Sequence, residues 1–234
     1  MSFQFTATFD PTPEQRAAIY SVNEQLEFSQ DLEENLAAAL SDYLKRASFK
    51  AKIGKFLPLY PSQTDVLIGG IGAGLATSSE AEIWGDALYK SMKSKPFNEA
   101  VLSAAEFEDE IIEGILLGAT LASYEFNSYF TKKEEESASV NLIITGIDEA
   151  RFNRILAEVD AMADGVHLAR DLVYEPANIL YTESFAKRCE PLRGNGLEVS
   201  ILNEKDMEKL GRGSLLGVGQ GSVRESAIVI MNWR

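Results

Sequence analysis

The sequence predicts an α/β chain, and two observations predict it. Short apolar runs that end in turn residues, Val66 to Ile71 and Val140 to Thr145, read as strands covered on both faces. Between and after them, apolar residues step by three and four, the spacing of amphipathic helices, so strand and helix alternate.

Taken in order, Phe3, Phe5, Ala7 and Phe9 alternate with Gln4, Thr6 and Thr8, the period of a half-buried strand, and Asp10-Pro11-Thr12-Pro13 ends it. Arg16 to Val22 reads as a short helix or turn. Asp31, with Glu34 three residues on, marks an N-cap, and Leu32, Leu36, Leu40, Tyr43 and Leu44 carry the helix to about Arg46. Phe56 to Tyr60 reads as a strand that Pro58 assigns to a sheet edge, because proline cannot donate to a ladder. After the Val66 run, Ser79 with Glu82 opens a helix through Ile83, Trp84, Ala87, Leu88 and Met92. Val101 to Ala104 is a further strand, and Ile111 to Leu121 a strongly apolar helix continuing toward Tyr124.

Phe152, Ile155, Val159, Met162, Val166, Ala169 and Val173 then share one helical face from about Asp148 to Val173. A helix of that length either joins two domains or runs as an ordinary core helix. Glu175-Pro176 stops it, since proline lacks an N–H and disfavours helix in the residue before it. Thr182 caps a helix to Cys189, Leu197, Val199 and Ile201 alternate as a strand, and Asn203 caps a helix that ends with Gly211 as its C′ residue. Ala227 to Trp233 is a last strand, whose Val229 and Met231 need a covering partner; the chain is therefore expected to be a fragment.

Composition narrows the function classes. Against 22 basic residues stand 36 acidic ones, a net charge of −14, which repels phosphate backbones; no local basic patch overrides that field, so neither nucleic acid nor a membrane is expected as a partner. Lys132-Lys133 followed by Glu134-Glu135-Glu136 reads as a solvated loop. The single cysteine, Cys189, fits a reducing compartment and reads as a packed thiol, and no signal-peptide pattern or membrane-length apolar run occurs. A cytoplasmic location is expected.

Two motifs carry a resemblance. ARDLVYEPAN, from Ala169 to Asn178, and GRGSLLGVGQGS, from Gly211 to Ser222, are similar to segments of the cytosol leucine aminopeptidase family. The similarity extends back through Leu116 to Lys133 and, more loosely, Leu44 to Leu59. One departure is Tyr174, where that family usually has asparagine. The resemblance implies an N-terminal macro-like mixed sheet flanked by helices over residues 1–147, an interdomain linker helix over 148–173, and an incomplete α/β start of a catalytic domain over 174–234. It also implies a metallopeptidase that releases N-terminal residues from peptides, with two divalent ions, zinc or manganese, and a homo-hexamer in the complete enzyme. The ligand motifs of that family would lie beyond Arg234, so no catalytic, substrate-binding or metal residue is assigned here, no ion is expected on this piece, and it is expected to be inactive alone.

Other residues suggest chemistry by type or spacing, and each has a plainer reading. His167 is the one histidine and lies on a helix with no H-x-x-x-H register, so it reads as a helix-surface or core residue. Gly69, Gly70, Gly72 and Gly74 follow a strand as a phosphate cradle would, yet Leu75 stands where a third glycine is required and no Walker lysine follows; a tight strand-exit turn is the fuller reading. The alternative function, a macro-like module binding nucleotide or ADP-ribose, would use this loop. Gly217, Gly219 and Gly221 around Gln220 and Ser222 lack the G-x-S-x-G elbow and read as a tightly turning loop. Asp171 and Glu175 are spaced as a carboxylate pair, but with Arg170 adjacent they read as a buried salt-bridge network.

Overall fold

A computed structural model describes residues 4–7, 17–30, 32–59, 65–94, 99–131, 140–194 and 196–233. In chain order the elements are β1 (Gln4–Ala7), β2 (Ala17–Val22), α1 (Glu34–Arg46), β3 (Phe56–Leu59), β4 (Val66–Gly70), α2 (Ser78–Lys93), β5 (Glu99–Ser103), α3 (Asp109–Ala122), β6 (Asn141–Thr145), α4 (Glu149–Tyr174), α5 (Thr182–Cys189), β7 (Leu197–Leu202), α6 (Glu204–Lys209), α7 (Gly213–Gly219) and β8 (Ile228–Trp233). They form two compact units, Met1–Leu168 and Ala169–Arg234, and the division falls within α4.

The first unit is a six-stranded sheet in the order β1-β6-β5-β2-β4-β3. Neighbours are parallel except for β3, which pairs antiparallel with β4 at the sheet edge, where Pro58 has its place. Successive residues of the central strands face opposite layers. Ile19 of β2 and Leu67 of β4 join one core with Trp84, Leu88, Leu116 and Phe152 of α2, α3 and α4. Val22, Val66 and Ile68 join a second core with Leu40 and Leu44 of α1. The sheet is thus covered on both faces, which is why β4 reads as an unbroken apolar run.

Glycine permits the close approach of α2 and α3. A Cβ on Gly85 of α2 would lie 2.0 Å from the Ile115 carbonyl oxygen, and one on Gly118 of α3 would lie 2.0 Å from that of Glu82. The two helices therefore meet backbone to backbone. Trp84, Leu88 and Leu116 are fully buried around this seam, each contributing about 1.5–3 kcal/mol of apolar burial.

The second unit pairs β7 antiparallel with β8 and also holds the short helices α5, α6 and α7. Asn203 caps α6 by accepting from the Asp206 N–H at 3.1 Å. At its other end Gly211, at φ +68°, lets the Arg212 N–H reach the Met207 carbonyl and its own N–H reach that of Glu208, the paired bonds of a Schellman stop.

Several expectations are corrected. The helix or turn expected from Arg16 to Val22 is corrected over its described residues: Ala17–Val22 is β2, between β4 and β5, with Ala17, Ile19 and Val22 buried, so packing in the sheet decides its conformation. The cap of α2 is Thr77, not Ser79; its hydroxyl accepts from the Glu80 N–H, and Glu80 reaches back to the Ala76 N–H. Thr182 is the first residue of α5, not its cap; Tyr181 is the cap. The apolar stripe of α4 is buried only at Phe152, Ile155, Val159 and Ala163, while Met162, Val166 and Val173 are exposed. Residues 213–219 form α7 rather than a loop. Met231 and Trp233 of β8 are exposed. The N-cap of α1 is Glu33, not Asp31, and its side chain makes no capping bond. The alternation at Phe3 and Phe9, the Asp10 to Pro13 stop, Tyr60 and the Lys132 to Glu136 loop lie outside the described residues.

Candidate functional site

Both sequence motifs of the second unit fold into one braced substructure. Pro176 ends α4, and its carbonyl accepts from the Ile179 and Leu180 N–H groups, turning the chain toward α5. Glu175, with a side chain 7% exposed, does not pair with a neighbour in sequence as its only recourse: its carboxylate is ion-paired with the guanidinium of Arg188, thirteen residues on in α5. Sequence spacing pointed to Arg170 and gave no sign of Arg188, because the pairing depends on the turn at Pro176.

At the start of α5, the Ser184 hydroxyl accepts from the Tyr181 N–H at 2.8 Å and donates to the Ile179 carbonyl at 2.7 Å. The Arg224 guanidinium lies 3.6 Å above the Tyr181 ring centroid, a cation–π contact. Beside it the Thr182 hydroxyl donates to the Glu225 carbonyl at 2.7 Å. Glu204 of α6 holds the same segment from another side, accepting from the Ser226 N–H at 2.8 Å. A cavity of about 360 Å³ lies here, lined among others by Glu204, Glu208, Gln220, Arg224 and Glu225.

The glycine motif accordingly has structural duties. A Cβ on Gly219 would meet the Ser226 hydroxyl at 1.9 Å, so a side chain there would make that hydroxyl turn aside, whereas Gly213, Gly217 and Gly221 face open space. The Ser222 hydroxyl accepts from the Arg224 N–H at 3.0 Å, a local turn brace rather than a nucleophile paired with a base. Cys189 is buried, and burial pushes its thiol pKa up, away from the reactive thiolate.

In the first unit, His167 packs its ring 5.2 Å from that of Tyr124, with its Nε2 buried. Among the described residues, no three His, Cys, Asp or Glu side chains are grouped so as to hold a metal ion. The glycines at the end of β4 do not form an open cradle at Gly69 and Gly70. A Cβ on Gly69 would meet Phe56 and Trp84 at 2.5 and 2.7 Å, and one on Gly70 would meet the Ala51 backbone at 2.5 Å. Those two glycines admit the chain's own side chains and backbone, and the strand-exit turn follows at Gly72 and Gly74, both at positive φ.

Comparison with known proteins gives two family models in sequence order. Residues 18–133 match the N-terminal domain of the cytosol aminopeptidase family, and residues 167–234 match its catalytic domain. The chain belongs to the cytosol aminopeptidase family. A Caulobacter vibrioides protein named "Probable cytosol aminopeptidase" is 42% identical over 170 residues, 72% of this chain and 34% of that protein. Another of the same name, from Gluconobacter oxydans, is 35% identical over 205 residues, 86% of this chain and 42% of that protein. The chain thus spans well under half the length of these cytosol aminopeptidase relatives.

Among solved structures, a mutant of tomato leucine aminopeptidase superposes with a TM-score of 0.79 at 20% identity, covering all of this chain and 51% of that one. The bottromycin maturation enzyme BotP in complex with Mn gives 0.70 at 23% identity, covering 94% of this chain and 45% of that one. At such identities these matches establish the fold: a mixed sheet flanked by helices, as in the leucine aminopeptidases. The alternative of a nucleotide or ADP-ribose module gains no support from either comparison.

Proposed function

We propose that this chain supplies the N-terminal domain, over residues 1–147, a linker helix over 148–173 and the opening elements of the catalytic domain, over 174–234, of a metal-dependent leucyl aminopeptidase that removes N-terminal residues from peptides in the cytoplasm. The observation that carries the reading is the order of the two family matches along one chain. The BotP neighbour crystallised with Mn supports divalent-ion dependence for the complete enzyme, with manganese or zinc as the ion. A homo-hexamer is the assembly that family kinship suggests for it.

The described residues do not fit such ions, since none of their carboxylate or imidazole groups gather into a ligand set. No catalytic step is therefore assigned to them. Their part is to form and brace the scaffold: the Glu175–Arg188 pair, the Tyr181–Arg224 contact and the caps of α5 and α6 hold the first strands of the catalytic region in register. Alone, the 234-residue chain is inactive in this reading.

Leucine-anilide hydrolysis by the purified chain, measured with added Mn²⁺ or Zn²⁺ in a host lacking its own leucyl aminopeptidase, tests this. The expected result is no release above buffer. Metal-dependent release that co-purifies with the chain would overturn the reading.

A further inference from the structure

The strongest charged feature outside the catalytic-family motifs is basic, against the sign of the whole molecule. Lys45, Arg46, Lys50, Lys52 and Lys55 fall within eleven residues and all are exposed. No acidic residue occurs between Asp42 and Asp65. Among the described residues, only Arg46 of the five has a carboxylate at salt-bridge distance, Asp42 at 2.6 Å. This corrects the expectation that no local basic patch stands out against the net charge of −14.

The loop that carries these cations is held in a fixed shape. The Phe49 N–H donates to the Leu44 carbonyl at 3.0 Å, the Gly72 N–H to that of Ala51 at 2.7 Å, and the Gly70 N–H to that of Lys55 at 2.8 Å. Ala51 is buried against Gly70, and Ser48 and Gly54 take positive φ to let the chain turn. Cations displayed on an ordered backbone lose less freedom on meeting a partner than cations on a floppy one.

We propose that the loop from Lys45 to Lys55 is a docking surface for an acidic polypeptide segment. Charge complementarity selects that partner. The loop runs directly into edge strand β3, where Pro58 lacks an N–H and blunts strand addition, so the cations and not backbone pairing are what the loop offers. The continuous charge of a nucleic acid would run beyond this short loop onto a protein whose net charge is −14. Carboxylates spaced along a peptide meet the cations locally, within a Debye length of about 8–10 Å. The proposal does not depend on the peptidase reading, and its test reads binding without turnover.

The test uses the full chain and a fluorescent glutamate-rich peptide of about twelve residues, followed by anisotropy, where raising salt from about 50 to about 300 mM is expected to weaken binding about tenfold or more. The triple variant Lys50→Gln, Lys52→Gln, Lys55→Gln should lose about as much, while Lys50→Arg, Lys52→Arg, Lys55→Arg keeps it, because the peptide is read as charge. A peptide with glutamine in place of glutamate should not bind. The proposal is overturned by absence of binding to the parent chain, by undiminished binding in the glutamine variant, by loss of binding in a folded arginine variant, or by an oligonucleotide of equal charge binding more tightly than the peptide.

Discussion

The two units of this chain keep their shape by different means. In Met1–Leu168 the sheet has a core on each face, and Trp84, Leu88, Leu102, Leu116 and Leu142 have essentially no exposed surface. In Ala169–Arg234, only Ala186, Cys189, Val199 and Met207 are buried among the described residues. There the named contacts are directional: a capped α6, a Schellman stop, a cation–π contact, and an ion pair at Glu175. Packed apolar area is cooperative and hard to lose piecemeal, whereas caps and ion pairs each contribute on the order of 1 kcal/mol and can be removed one at a time. The first unit is therefore expected to unfold as a block and the second to loosen by degrees.

The largest effect that sharpens this contrast is expected at the α2–α3 seam. Gly85→Ala places a methyl group where the Ile115 carbonyl stands, so the helices must move apart; a loss of about 2–3 kcal/mol is expected in urea unfolding followed through Trp84 fluorescence in a Trp233→Phe background, which silences the second unit. An unchanged midpoint would mean that the seam yields freely. Next comes Glu175→Ala, which removes the carboxylate that pairs with the Arg188 guanidinium; because Arg188 keeps some contact with water, about 1–2 kcal/mol is expected. Its readout is the alkylation rate of Cys189, buried in the native state, and that rate should rise while the Trp84 transition stays in place. If both probes shift together, the units are not independent.

A smaller step is Asn203→Ala, which removes the α6 cap at a cost of about 1 kcal/mol, again visible in Cys189 alkylation and not in Trp84 fluorescence. The smallest concerns acid. Asp109 accepts from Arg154 at 2.6 Å and from Arg151 at 2.5 Å, and these hydrogen bonds hold its carboxyl pKa below the ordinary value. Its folded pKa is the lower one, so its contribution is present above the unfolded value, about 3.9, and is lost as pH falls through the folded value. Asp109→Asn should thus lower the urea midpoint of the first unit at neutral pH, and the gap from the parent should close as pH falls through the folded value and Asp109 takes up its proton. A gap that persists in acid would assign the effect to shape instead of charge.

How much could be read beforehand follows the same division. Strands buried on both faces and helices with long apolar stripes were legible, as at β4, β6, α2 and α3, because their pattern is set by the core they enter. β2 was not: its run is short, Arg16 and Ala17 give no period, and only its place between β4 and β5 makes it a strand. α7 was hidden by its glycines, Gly213, Gly217 and Gly219, which weigh against helix locally. In the second unit the caps at Asn203 and Gly211 were legible because capping is written in adjacent residues. The partners of Glu175 and Tyr181 were not, since Arg188 and Arg224 lie thirteen and forty-three positions away.

The meeting of α2 and α3 at Gly85 and Gly118 also limits how the first unit can deform. With carbonyl groups seated where side chains would stand, neither helix can slide along the other until the pair has first been lifted apart. Amide protons along both helices should then exchange in a single opening event, and a pull on either helix would reach the sheet as though the two were one plank.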